Sequence, residues 1–202
     1  GAASDNPTQV KTKGFADAET MKRQNLIEEL DDGYYAVHFA PKEGNWPIIM
    51  NFDGRQKEED FVIKELIKLI GKEEVRPQDL LILSYTKDLC ESMNAKIQDK
   101  LVSGKYIQRT IRPYHDEDKG SSLFLPKCLT ISTIHSAKGY DAPIVFFMGI
   151  DNLFNDEKGR ATFYVGATRA KYRVYLTGCN NTKNTLLKEA EKVVETLSQK
   201  YI

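Results

Sequence analysis

At 202 residues the chain can hold one well-buried domain plus a tail, and its 41% hydrophobic and 29% charged residues are those of an ordinary globular protein. Lysine and arginine balance aspartate and glutamate at 29 each, which removes the general basic footprint of a nucleic-acid coat, so any such contact must come from a local groove. Three widely spaced cysteines, Cys90, Cys128 and Cys179, form no CxxC pair; this argues against a disulfide framework or zinc site and for a reduced, cytoplasmic protein, and no run of about eighteen apolar residues suggests a membrane span.

Residues 1–16 are polar, broken by Pro and Gly, and lack the apolar core of a signal peptide. They are expected to be a disordered or extended leader left on a trimmed chain. The spacing of Met21, Leu26, Ile27 and Leu30 predicts a linker helix within 17–33, ended by Asp31-Asp32-Gly33. One domain is then expected over 34–202. Its first two strands, Tyr34 to Phe39 and Pro47 to Phe52, flank a Pro/Gly-rich turn that would suit a hairpin.

Glu59 to Ile70 carries Phe61, Val62, Leu66, Leu69 and Ile70 at helical spacing, with Gly71 as C-cap. Leu80 to Tyr85 is a continuous apolar run, typical of a strand buried on both faces. Thr86 suits the N-cap of a helix reaching to about Val102, with Leu89, Met93, Ile97 and Leu101 on one side. Strand and helix alternating at these lengths predict an α/β domain with a mainly parallel sheet flanked by helices. Tyr106 to Arg112, Leu129 to Thr133, Ile144 to Gly149 and Val174 to Thr177 supply further strands. Residues 115–122 read as a polar loop whose acidic run is solvated, and no metal site is expected there. A closing helix over Thr182 to Gln199 would turn Leu186, Leu187, Ala190, Val193, Val194 and Leu197 inward.

Two polar knots interrupt this frame. The first, Thr133-Ile134-His135-Ser136-Ala137-Lys138-Gly139-Tyr140-Asp141, lies between two apolar strands and is expected at the carboxyl end of the sheet, where ligands of open parallel sheets collect. The second, Phe163-Tyr164-Val165-Gly166-Ala167-Thr168-Arg169-Ala170-Lys171, precedes the alternating strand Arg173 to Thr177. In this order the first resembles motif V, and the second motif VI, of superfamily 1 nucleic-acid helicases of the UvrD/Rep type. Residues 34–202 are thereby similar to the C-terminal RecA-like domain of such a motor, a three-layer fold. Leu81 to Leu101 resembles motif IV more weakly, since Tyr85 stands where many members have arginine.

The resemblance implies an ATP-dependent DNA helicase or translocase, with ATP and Mg²⁺ held mainly by an N-terminal RecA-like domain of the same parent chain. Single-stranded DNA, or RNA, is the implied partner. Arg169 would be the catalytic arginine reaching the γ-phosphate, a task that suits an always-charged planar fork. Gly139, Asp141, Lys138 and Tyr164 would line the nucleotide side, Asp141 receiving the ribose although it is one methylene shorter than the family's usual glutamate. Lys138 either binds phosphate or pairs with Asp141. Thr133 and His135 would face the nucleic-acid backbone.

The phosphate-binding pattern GxxxxGK[ST] does not occur in these residues, and Gly71-Lys72 and Gly104-Lys105 lack both its upstream glycine and its hydroxyl. Hydrolysis is therefore not expected from this domain by itself. About 45 residues separate Tyr85 from Thr130, too few for the accessory domain that larger members insert there. A second reading, a catalytically silent RecA-like module that binds nucleic acid or protein, draws on the neutral charge, Asp141 and Tyr85.

Overall fold

The computed structural model describes residues 2–3, 9–12, 22–23, 27–31, 35–38, 45–118, 122, 124–137, 139–179 and 185–200. The chain divides into two compact units, Gly1–Glu43 and Gly44–Ile202. In the first, strands β1 (Ala2–Ala3), β2 (Gln9–Thr12), β3 (Ile27–Glu29) and β4 (Tyr35–His38) form an antiparallel sheet in the order β1-β2-β4-β3.

This arrangement differs from the sequence expectations at several points. Described parts of the 1–16 leader are strands, and among the described residues of the expected linker helix 22–23 are helical while 27–29 are strand. An Asp-Gly pair that can stop a helix serves equally as a hairpin signal when the flanking segments pair, as β3 and β4 do. The division into compact units falls at 43/44, with β4, expected to open the second domain, paired instead with β2 and β3. Among the described residues, Tyr35–His38 pairs with β2 and β3 and Ile48–Phe52 pairs with Ala170–Cys179, so the hairpin expected between Tyr34–Phe39 and Pro47–Phe52 is not seen there.

The second unit is built on a six-stranded, fully parallel sheet. Its strands are β5 (Ile48–Phe52), β6 (Leu80–Ser84), β7 (Arg109–Ile111), β8 (Cys128–Thr133), β9 (Ala142–Met148) and β10 (Ala170–Cys179), ordered β5-β10-β9-β6-β8-β7. Central strands β6 and β8 are buried along their whole length, as expected of strands covered on both faces. The period of two in a strand separates the residues cleanly. Leu80, Ile82, Ile144, Phe146 and Met148 join a core with Val62, Leu66 and Leu69 of α1 (Arg55–Gly71) and Leu89, Met93 and Ile97 of α2 (Lys87–Ile97). Leu81, Leu83, Val145 and Phe147 join the opposite core with Phe163 and Val165 of α3 (Glu157–Ala167) and Leu186 and Leu187 of α4 (Thr185–Lys200).

The result is the three-layer α/β domain read from the sequence. Thr86 caps α2 as foreseen, its hydroxyl accepting from Leu89 N at 3.4 Å, and a π-turn over Gln98–Val102 carries the helix on to Leu101. Leu186 and Leu187 are buried, whereas Val193 is 56% exposed. Of the inward face expected of α4, Ala190 also packs against the core and Val194 is half-buried, while the Leu197 side chain lies outside the described residues.

Candidate functional site

Strand register places the two halves of the first polar knot at opposite edges of the sheet. Ser84 aligns with both Thr133 and Met148, so β8 ends level with the carboxyl end of β9. Asp141 lies just before Ala142, six residues earlier along β9. At ~3.3 Å per residue the two ends are separated by roughly 20 Å. Residues 134–141 are therefore the β8-to-β9 crossover. Ile134 donates its N–H to Ser84 O at 3.0 Å at one end, Ile134 and Ala137 are buried against the face covered by α3 and α4, and the Tyr140 ring meets Phe124, upstream of β8, at 6.5 Å. The expectation that the whole knot gathers at the carboxyl edge is corrected accordingly.

At the carboxyl edge Thr133 is only 6% exposed, with its hydroxyl committed locally: it accepts from Ser136 N at 3.2 Å and meets Ser136 Oγ at 3.0 Å. The Thr133 hydroxyl, expected to face a nucleic-acid backbone, is thus buried and bonded within its own turn. It shapes the turn that presents His135, and His135 is exposed, its ring 5.9 Å from that of Tyr85 at 58°. Beside Tyr85 opens a pocket of about 240 Å³, walled by Leu153, Phe154, Lys158, Gly159 and Thr162.

Along the same edge, fully buried Glu58 ties three elements together. It accepts from Gly149 N at 2.9 Å and from Thr177 Oγ1 at 2.6 Å, and it pairs with Arg55. Arg55 also reaches Asp151 at 2.6 Å, and Asp151 accepts from Cys179 N at 2.9 Å. Burial works against the Arg55 charge, but Glu58 and Asp151 outweigh it and hold the guanidinium pKa above its usual value. Glu58, Asp151 and Cys179 have ligand-type atoms within 4.8 Å of one another, yet Arg55 already supplies the positive charge their carboxylates need. Sequence reading missed this cluster because its members lie far apart in the chain.

At the amino edge, helix α3 delivers Arg169. Asp156 starts the helix by accepting from Gly159 N at 2.7 Å, and at its end Thr168 Oγ1 donates to Tyr164 O at 2.8 Å. Arg169 Nε donates to Val165 O at 3.1 Å while Nη1 pairs with Asp141 Oδ1 at 2.8 Å. Ala142 N donates to Arg169 O at 3.0 Å, joining the backbones of the two motifs. Gly139, with φ of 89°, and exposed Asp141 lie near the crossover's end. Tyr164 is 69% exposed on α3. Lys138 lies outside the described residues.

Gly166 sits where α3 crosses β9, and a Cβ there would stand 2.5 Å from the Phe147 ring. Its lack of a side chain is what lets the helix lie close enough to set Arg169 against Asp141.

Residues 129–177 match the family model of the UvrD-like helicase C-terminal domain. Among solved structures, the chain is similar to the C-terminal domain of a possible DNA helicase from Lactobacillus plantarum WCFS1, with a TM-score of 0.55 and 14% identity over 75% of this chain and 84% of that one. At that identity the likeness speaks for the fold. No curated protein matches the sequence significantly. No helix among the described residues is long and apolar enough to cross a membrane. Family match and fold point the same way: residues 129–177, which run through the centre of the parallel three-layer unit, are similar to the UvrD-like helicase C-terminal domain, and the unit as a whole shares the fold of its solved neighbour.

Proposed function

We propose that this domain is the second half of an ATP-dependent DNA helicase or translocase, facing nucleotide with the amino edge of its sheet and a single strand with the carboxyl edge. The observation that carries the reading is the Arg169–Asp141 pair, a guanidinium and a carboxylate brought together at the surface from motifs 28 residues apart. The donor set suits a nucleoside triphosphate, since a guanidinium matches phosphate oxygens and a carboxylate accepts from ribose hydroxyls. ATP with Mg²⁺, held chiefly by an N-terminal RecA-like domain of the same parent chain, supplies the phosphoanhydride whose hydrolysis drives movement.

Within this chain Arg169 would exchange Asp141 for phosphate oxygens, and Asp141, so released, would accept from the ribose. The backbone bond from Val165 O to Arg169 Nε keeps the fork aimed during that exchange. Gly139 leaves room beside Asp141, with nothing within 4 Å of where a Cβ would stand. At the other edge His135 would hold strand phosphates without reading bases. Lacking a phosphate loop, the domain would not hydrolyse ATP unaided.

The test is Arg169→Ala in the complete motor. Strand-stimulated hydrolysis should fall by roughly 1,000-fold or more, the scale of a lost arginine finger, and Arg169→Lys should recover little because one ammonium cannot replace the fork. Wild-type turnover in Arg169→Ala would defeat the catalytic role and leave the silent interaction module as the better reading.

A further inference from the structure

We infer that the amino edge of the sheet carries, around Tyr106, a docking surface for an acidic segment of a partner protein, held by Lys72, Lys105 and Lys127 and seated on the Tyr106 ring. Two Gly-Lys pairs that lack the phosphate-loop pattern, Gly71-Lys72 and Gly104-Lys105, are brought together here. A Cβ on either glycine would stand 3.0 Å from the Tyr106 ring, so the ring lies over both and the two lysines flank it. Lys127 joins them from the next strand entry: its O accepts from Gln108 N at 2.8 Å, two residues on from Tyr106. Tyr106 is 39% exposed, and all three lysines are exposed.

The backbone marks the same place. Glu74, Lys105 and Lys127, with φ of 54°, 59° and 60°, are the non-glycine residues in the left-handed region among the described residues, and they lead into β6, β7 and β8. Glycine is the residue of least strain at such a position. Long charged side chains held there instead point to a use for them at the surface.

Charge chooses the occupant. Lys72, Lys105 and Lys127 have no ion pair among the described residues, whereas the nearby Glu73 is paired with Lys68 and Arg173, and Asp79 with Arg76. The surplus is positive and suits carboxylates. A continuous phosphate backbone fits less well, because exposed Glu74, also without an ion pair among the described residues, stands two residues from Lys72 and would repel it. A protein segment can answer Glu74 with a lysine of its own, and the Tyr106 ring offers a seat for one of its apolar side chains. The β7 entry lies three strands from that of β9, roughly 14 Å at ~4.8 Å per strand, so this surface is separate from the Arg169–Asp141 pair.

Random peptides displayed on phage and selected on the immobilised 202-residue chain are the probe. Recovered peptides should be rich in aspartate and glutamate around an apolar residue. The tightest of them, labelled for fluorescence anisotropy, should bind the Lys72→Glu/Lys105→Glu double variant at least about ten-fold more weakly. Both positions are exposed, and circular dichroism checks that the variant is folded. Lys105→Gly separates a binding role from a merely structural one: glycine relieves the left-handed backbone, so the denaturant midpoint should rise while the same peptide binds about three-fold more weakly. Recovered peptides without acidic enrichment, equal affinity in the double variant, or a Lys105→Gly chain that keeps its affinity or gains no stability overturns the surface. A labelled oligothymidylate that loses about ten-fold or more in the double variant overturns it too, and assigns the patch to nucleic acid.

Discussion

Thr133 and His135 are two residues apart, yet burial gives them different tasks. The threonine hydroxyl is spent on Ser136, whereas the imidazole is offered to solvent against Tyr85. The same test separates the cysteines, read from the sequence only as reduced. Cys90 is buried at the start of α2, and desolvation, reinforced by the negative charge of Glu91, pushes its thiol up to about 12 from the ordinary 9.0. The sign of the consequence follows from proton counting. Below pH 9 the thiol is neutral in both states, so its contribution to stability is fully present there. Above pH 9 the unfolded chain loses this proton while the folded chain keeps it, and stability falls by about 1.4 kcal/mol per pH unit until the folded thiol also ionises. Denaturant midpoints taken from pH 8 to 11 should therefore decline more steeply in the wild type than in Cys90→Ala. Parallel declines would show that Cys90 is not buried as described.

Helix α3 and the crossover 134–141 are the elements that determine where the site residues end up. A Cβ at position 166 would stand 2.5 Å from Phe147, which is fully buried and already against Phe163 at 6.1 Å, so neither ring can easily give way. Gly166→Ala should cost about 1–3 kcal/mol by overpacking, read as a lower denaturant midpoint. Val193→Ala, on the exposed side of α4, should stay within about 0.5 kcal/mol, and equal losses in the two would contradict the close approach. These elements also show where sequence ceases to be informative. The run Leu80 to Ser84 announces a two-sided strand because every residue in it is apolar or small, and Thr86 announces a helix start through its own hydroxyl. Helix α3 carries two glycines, and its apolar residues crowd into 161–167 instead of recurring along one face from its start, so it read as a knot rather than a helix. The knot at 133–141 looked like one place because its residues are contiguous. An extended stretch of eight residues can span roughly 25 Å, and only pairing with β6, distant in sequence, reveals that this one does cross the sheet.

Across the whole unit, two connectors join the edges assigned to strand and nucleotide. One is the crossover, with His135 near its start and Asp141 at its end. The other is α3, whose 11 residues, at ~1.5 Å rise, carry the chain about 16 Å from the Phe154 pocket to Arg169. Both are anchored in one core through Ile134, Ala137, Phe163 and Val165, so a shift at either edge must be passed through packed side chains. Edges this far apart should nonetheless be separable by mutation. In the complete motor, Arg169→Ala should depress kcat by roughly 1,000-fold while strand Kd changes less than about two-fold. His135→Ala should raise strand Kd by about five-fold and spare hydrolysis measured without strand, since it removes a positioning contact rather than a catalytic one. Because sites more than about 10 Å apart with no shared partner act independently, the double variant should show both defects at nearly their single-variant sizes. The measurement is a pair of titrations, hydrolysis against ATP and anisotropy against strand, on the four proteins of the cycle. Loss of strand-free hydrolysis in His135→Ala, or release of strand by Arg169→Ala, would mean that the two edges do not divide the work in this way.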